Sequence, residues 1–334
     1  MVPLDMTHYR FQFGLSLVEL MVALLLGVVL SFGAVNLFMQ SKFSFLQDEQ
    51  TARMQEGGRY AQRYIARELG MAGFYGGVLR GADINSNLVS GANNCYDWLA
   101  DTSRFVEHRN NVDSVGTTAT AQTLPSACLS ATDSLVPNTD VLLVRRVTDD
   151  TQYLRDETAT VTGSATFDAA RVYLRLEDYN VSTTLETGNN VGTAGSMPLS
   201  VWPYRAQLLF VRDWSVTVGD GVPALCRKEM SGGVMGPTTC LVEGVENLQV
   251  EFGIDTDDDY IPDQYLDAPN QAQLSLAMSA RIFILMRSTN ALAGYTNDKA
   301  YNLGSTPVAA QNDGLYRRVY QTSTLLRNSE ALGI

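Results

Sequence analysis

The sequence predicts an α+β fold, with one long N-terminal helix packed on an antiparallel β-sheet head. Three observations predict it. Residues 15–39 form an apolar run of membrane length, and the residues after it keep a helical alternation to Leu69. Several β-rich runs then follow between residues 140 and 328, separated by Gly, Pro, Asn and Asp. No crossover-helix pattern falls between those runs, which makes an antiparallel sheet the default. The 334 residues are 45% hydrophobic and 18% charged, enough for one large or two ordinary domains with a buried core.

The opening segment, "MVPLDMTHYRFQFG", is short and polar, and Met6 offers a second start. It has no apolar stretch of its own before a cleavage site, so it does not read as a secretory signal. The apolar run follows in "FGLSLVELMVALLLGVVLSFGAVNLFM", with Glu19 as a lone carboxylate near its front. About 20 residues at ~1.5 Å each span the hydrocarbon core of a bilayer, so the run can cross it as a helix. A lone acid there is costly without a partner.

The stretch "GLSLVELMVALLLG" resembles the processing signal of type IV prepilins. The resemblance implies a leader, 1–14, removed by prepilin peptidase after Gly14 on the cytoplasmic side. Leu15 then becomes the first mature residue and is N-methylated, although phenylalanine or methionine is commoner there in the family. Glu19 matches the family's glutamate at the fifth mature position. The implied fold is the type IV pilin fold. It has a transmembrane helix over 15–39, the periplasmic half of the helix and its Gly-rich end over 40–77, and a β-rich periplasmic head over 78–334. The new amino terminus is a cation, and a helix N-terminus adds positive partial charge. Glu19 of one subunit is therefore expected to face the Leu15 ammonium of a neighbour, where a paired charge is favourable and a single one expensive.

Beyond the apolar run, Phe38, Phe45, Met54, Tyr60, Tyr64, Ile65 and Leu69 fall at helical spacing as head-facing positions. Gly57-Gly58 is expected to weaken or bend the helix, and "GMAGFYGG" at 70–77 to end it. "RYAQRYIARELGMAGFYGG" resembles the matching helix end of PilW-type minor pilins. Two later blocks, "VEGVENLQVEFGIDTDDDYIPDQY" and the C-terminal "RRVYQTSTLLRN", resemble the same family.

Residues 78–140 are rich in Asn, Ser, Thr, Gly and Ala and read as a long loop region. Strands are expected at 140–147, 170–177, 206–218, 245–254, 280–288 and 316–328. The four cysteines, Cys95, Cys128, Cys226 and Cys240, contain no CxxC, which disfavours a zinc ribbon or a thioredoxin-like motif. They allow three connectivities. The local pairs Cys95–Cys128 and Cys226–Cys240 are expected because each falls within one loop-rich region, and free thiols are the alternative for a cytoplasmic head. "SGGVMG" between the second pair reads as a hairpin tip.

In "DTDDDYIPD", Asp255, Asp257, Asp259 and Asp263 fall at positions 1, 3, 5 and 9 of a calcium loop. Tyr260 replaces the usual turn glycine, and Leu266 stands where such loops carry a bidentate glutamate. Carboxylates at this density suit a hard cation such as Ca²⁺, and the alternative is a solvated acidic turn. No other cofactor is implied.

A formal net charge of −12 argues against nucleic acid, and the basic residues stand out only as pairs such as Arg145-Arg146 and Arg317-Arg318. Two histidines, His8 and His108, rule out sites needing several imidazoles. No P-loop, GxSxG or dinucleotide fingerprint occurs, so an enzyme is not expected. Tyr96, Trp98 and Trp202 read as loop aromatics that could line a sugar site.

The resemblance implies a minor pilin that takes part in pilus assembly, primes filament growth and sits at the tip. Its partners would be other minor pilins, the major pilin, prepilin peptidase, the inner-membrane assembly platform and membrane lipid. It would be a single-pass inner-membrane protein with its head in the periplasm, incorporated into the extracellular pilus. The rival readings are a type II secretion minor pseudopilin and an adhesive tip pilin that binds an external ligand.

Overall fold

A computed structural model describes residues 14, 16–78, 80–88, 94–113, 128–148, 153–155, 161–163, 167–178, 182–191, 199–231, 234–292 and 294–329. Leu15, the rest of the proposed leader and the stretch 114–127 lie outside them. The chain divides into two compact units, one up to Thr51 and one from Ala52 onward. Helix α1 (Leu17–Met71) runs through the boundary without a break.

From Leu17 to Met39, within the first unit, α1 is apolar all round. Leu17, Leu20, Leu24, Val28, Phe32 and Val35 are all exposed, as are Phe38 and Phe45. The helix is long and apolar enough to cross a membrane. An exposed all-round apolar helix calls for lipid or other helices to cover it.

In the second unit α1 is amphipathic. Met54, Ala61, Ile65 and Leu69 are buried and Tyr64 half-buried, whereas Tyr60 is exposed. Gly57-Gly58 neither ends nor interrupts the helix. A Cβ at Gly58 would lie 2.7 Å from the Tyr320 ring, and one at Gly57 3.0 Å from Val242. These glycines let the helix approach the sheet closely. The helix ends at Met71, followed by Gly73 with φ +77.

The head contains two main sheets, in place of one. The first comprises β1 (Ile84–Ser86), β2 (Val106–Val112), β3 (Thr139–Val147), β4 (Tyr153–Arg155), β5 (Val161–Gly163), β6 (Val172–Asp178), β7 (Ser182–Thr187), β8 (Ser200–Arg212), β9 (Ala224–Ser231), β10 (Val234–Met235) and β11 (Thr239–Glu243). Its main path runs β1-β7-β6-β8-β3-β2. The second comprises β12 (Val245–Ile254), β13 (Gln264–Leu266), β14 (Ala277–Arg287) and β17 (Arg317–Leu325), while the hairpin strands β15 (Tyr301–Leu303) and β16 (Thr306–Val308) form a small sheet of their own. The order of its four paired strands is β13-β12-β14-β17. Every described pairing is antiparallel except β1 with β7.

Two cores explain why β3 and β8 read as near-continuous apolar runs. Leu142, Val144, Leu209 and Val211 join Ala61, Ile65 and Leu69 of α1 and Val250, Phe252, Ile282 and Ile284 of the second sheet. Their neighbours Val141, Leu143, Leu208 and Phe210 point the other way, into a second core with Leu99 of α2 (Asn94–Ala100) and Leu129. A strand buried on both faces loses its polar alternation.

Two further expectations are corrected. The loop region 78–140 contains β1, α2 and β2, whose local pattern the Asn-rich composition obscured. The strand expected at 206–218 spans Ser200–Arg212, and the segment after it is a loop. That loop closes on Asp220, whose carboxylate accepts backbone N–H bonds from Ser215, Val216, Thr217 and Val222. As expected, "SGGVMG" lies at a hairpin tip, where the short β10 pairs back onto β9.

Candidate functional site

The residues singled out at the front of the chain fall at the start of α1. Gly14 is exposed, a Cβ there would meet nothing within 4 Å, and Leu15 lies outside the described residues. The backbone N–H of Glu19 donates to Ser16 Oγ at 3.2 Å, and that of Leu20 donates to the Ser16 carbonyl at 3.1 Å. Ser16 therefore caps the helix, and Ser-x-x-Glu is the sequence pattern of a capping box. Glu19 lies in the first turn, where a carboxylate also complements the helix dipole. Sequence reading found Glu19 but missed Ser16, although the spacing was present to be read. Along the same helix Ala23, Gly27 and Ser31 recur every fourth residue beside Leu20, Leu24 and Val28, lining a shallow apolar groove. Small residues at this spacing allow close helix approach in lipid.

The acidic loop joins β12 to β13. Asp255, Asp257 and Asp263 each offer a carboxylate oxygen within 4.8 Å of the others. Asp259 stands outside this trio and accepts the Ile261 N–H at 2.8 Å. Asp255 is buried and organises the turn, accepting from the N–H groups of Asp257, Asp258 and Tyr260. Asp263 accepts from the backbone and hydroxyl of Thr256, which hold its carboxyl below the usual range. Asp257 is exposed and pushed up, chiefly by Asp259 and then by Asp263. Tyr260 has φ +65, so it adopts the left-handed conformation that a glycine normally supplies in a calcium loop. Three carboxylates thus converge, one pre-positioned by backbone donors and one destabilised by its neighbours.

Both local disulfides are present. Cys95 of α2 bonds to Cys128, and Cys226 of β9 bonds to Cys240 of β11, its direct cross-strand partner. The described aromatic side chains of the three, Trp98 and Trp202, are half-buried and not exposed on loops. Trp98 is half-buried on α2 and donates its indole N–H to Glu107 at 2.6 Å. Trp202 is half-buried on β8, meets Phe74 edge-on and donates to Ser200 Oγ at 3.0 Å. The Tyr96 side chain lies outside the described ones.

The seat of the helix on the head holds a residue that sequence reading missed. Glu68 is buried within the apolar stripe of α1 and receives Arg146 through Nε at 3.0 Å and Nη2 at 3.2 Å. Arg205 approaches the same carboxylate at 3.8 Å. A buried carboxylate needs such partners to offset desolvation, and the pair fixes α1 to β3 and β8. At the other end of the head, Arg317 of β17 is clamped by Glu246 and Asp313.

No curated protein and no solved structure matches the chain closely enough to inform the reading. Residues 210–328 match a family model described as type IV pilus-assembly protein W. That segment begins near the end of β8 and takes in the Cys226–Cys240 hairpin, the acidic loop and the entire second sheet. Over this segment the chain is similar to the PilW family of type IV pilus-assembly proteins, and its N-terminal apolar helix fits membrane anchoring.

Proposed function

We propose that this chain is a minor pilin that takes part in type IV pilus assembly. Prepilin peptidase removes the leader after Gly14, and Leu15 becomes the methylated amino terminus. The apolar half of α1 holds the protein in the inner membrane with its head in the periplasm. The chain then joins other minor pilins, primes filament growth and occupies the tip. It acts by assembly and not by catalysis. The observation that carries this reading is the family match across the second sheet, combined with Gly14, Ser16 and Glu19 at the front of an apolar helix.

The chemistry is electrostatic. Ser16 caps the helix, and Glu19 waits one turn in for the ammonium of a neighbouring subunit. In a low-dielectric filament core that pair is favourable, whereas Glu19 alone is not. Gly14→Ala is expected to leave the leader attached, and Glu19→Ala to let the leader go while excluding the chain from the priming complex. Pili that form normally in the Glu19→Ala strain would sink this account. A type II secretion role shares the front signal, and the family match favours the pilus.

The acidic loop supports a second proposal, that Asp255, Asp257 and Asp263 hold Ca²⁺ and stiffen the β12–β13 turn. Calorimetry of the full chain should show calcium binding that Asp257→Ala removes. Equal heats from both proteins would leave a solvated turn.

A further inference from the structure

Strand β17 is the outer strand of the second sheet, and its register with β14 runs from Arg287↔Arg317 to Ser279↔Leu325 without a bulge. Which of its backbone groups face outward follows from two bonds at its ends. Leu326 N–H donates to the Met278 carbonyl, and Ser288 N–H donates to the Tyr316 carbonyl. In an antiparallel ladder, directly opposed residues that exchange bonds alternate with ones that do not. The even-numbered residues of β17 therefore bond to β14, and the odd-numbered ones point away from it. Consistent with this, the Arg317 carbonyl is taken by the Tyr301 hydroxyl at 3.4 Å. The N–H and C=O groups of Val319, Gln321 and Ser323 bond to no other described residue. Natural sheets blunt an open edge with a bulge, a proline or a short strand, and these three rungs carry none of those devices.

The edge is flanked by positive charge. On α1, Gly58 faces Tyr320 of β17, and the Ala66 carbonyl accepts from Thr324 Oγ1 at 3.2 Å. The next flank of the helix, turned past β17, carries Arg59, Arg63 and Arg67 at every fourth residue, all exposed. None of the three makes an ion pair among the described residues. Like charges at this spacing weaken a helix, so the line works against the stability of the isolated chain. Arg318 is exposed on the same side of β17, its guanidinium 5.5 Å from the Tyr320 ring centroid. The Tyr320 hydroxyl is buried beside it with no hydrogen-bond partner among the described residues. In a chain of net charge −12, this local excess of arginine is an exception.

We propose that β17 is a docking edge that accepts an extended, acidic strand from a partner polypeptide. The three open rungs supply main-chain hydrogen bonds, as in strand addition to a sheet edge. Arg59, Arg63, Arg67 and Arg318 select carboxylate side chains on the incoming strand. This deepens the pilus reading and rests on it for the existence of a partner subunit.

The test uses the full chain in detergent, titrated with a labelled, end-blocked peptide of alternating Glu and Val and with its Lys–Val counterpart. The acidic peptide should bind, weaken with added salt, and slow amide exchange within 317–325. Gln321→Pro deletes one outward N–H and leaves the β14 ladder intact, because edge positions tolerate proline. That change, and separately the pair Arg63→Glu with Arg67→Glu, should each weaken binding by about tenfold or more. The arginine pair lies off the ladder, so it decides the matter if the proline variant misfolds. Failure of the acidic peptide to bind, equal binding of both peptides, or wild-type binding by the arginine variant would overturn the proposal. So would arginine-dependent binding to phosphatidylglycerol bicelles that Gln321→Pro leaves intact while the peptide fails. Leader removal and pilus formation report on the pilus reading, and peptide binding on this one, so their failures are distinguishable.

Discussion

The two halves of α1 are one helix under two packing regimes. From Leu17 to Met39 nearly every side chain is apolar and exposed, and glycines such as Gly27 and Gly33 have open space around them. After Ala52 only one stripe is apolar, it is covered by two sheets, and Gly58 sits against a tyrosine ring. The difference separates what stabilises the fold from what awaits a partner. Substitutions in the second half should register in the stability of the head. Substitutions in the first half should register in membrane anchoring and assembly.

The largest contrast lies between the two glutamates of the helix. Glu68→Ala leaves Arg146 buried without its carboxylate, so the head should lose about 3–5 kcal/mol. Denaturant unfolding of the full chain in detergent measures this. Glu19→Ala should leave the same midpoint unchanged, because Glu19 is exposed in the first unit. A head equally weakened by both changes would remove the distinction between the halves.

A smaller contrast lies between glycines. Gly58→Ala forces a methyl to within 2.7 Å of the Tyr320 ring, and the displaced ring should cost about 1–3 kcal/mol. Gly27→Ala meets nothing within 4 Å, so it should be neutral for the head and favourable to the helix by up to about 1 kcal/mol. The two thermal midpoints, compared in one detergent, check both values.

The same contrast explains what could be read from the sequence. The apolar half of α1 was legible because its composition alone gives the reading. In the second sheet β12, β14 and β17 were legible because turn residues bound them, and β12 was placed residue for residue, whereas the short β13 was not anticipated. Strand β2 was missed because "VEHRNNV" buries Glu107 and His108, polar residues that pair within the fold and look like loop in one dimension. Glu68 was missed for the same reason, since its partners Arg146 and Arg205 are distant in sequence. The line of Arg59, Arg63 and Arg67 was overlooked because a search for basic stripes finds runs of neighbours, whereas a helix assembles its stripe from every fourth residue. Of the four aspartates proposed as ligands, three converge. Asp259 turns to the Ile261 backbone, a choice set by local turn geometry that spacing does not encode.

The smallest expected effects compare two acidic turns with opposite electrostatics. Asp220 is held down to about 2, first by the Val222 and Val216 N–H groups and then by those of Thr217 and Ser215. Its folded value is below the unfolded one, so its contribution is present above pH 3.8 and is lost as the pH falls toward about 2. Asp257 is pushed up from 3.8, mainly by Asp259, so its turn is best held when protonated and loosens as the pH rises through that shifted value. Amide exchange at pH 7 should therefore speed up in 215–222 for Asp220→Asn, by a few-fold. It should slow in 256–263 for Asp257→Asn, because the substitution removes the repulsion that the wild-type loop carries. Added Ca²⁺ should slow the second loop in the wild type and leave the Asp257→Asn protein unaffected, since a cation relieves the repulsion only where all three carboxylates converge. An acidic loop whose exchange is the same with and without calcium in both proteins would reduce it to a solvated turn, leaving Asp220 as the better-organised of the two.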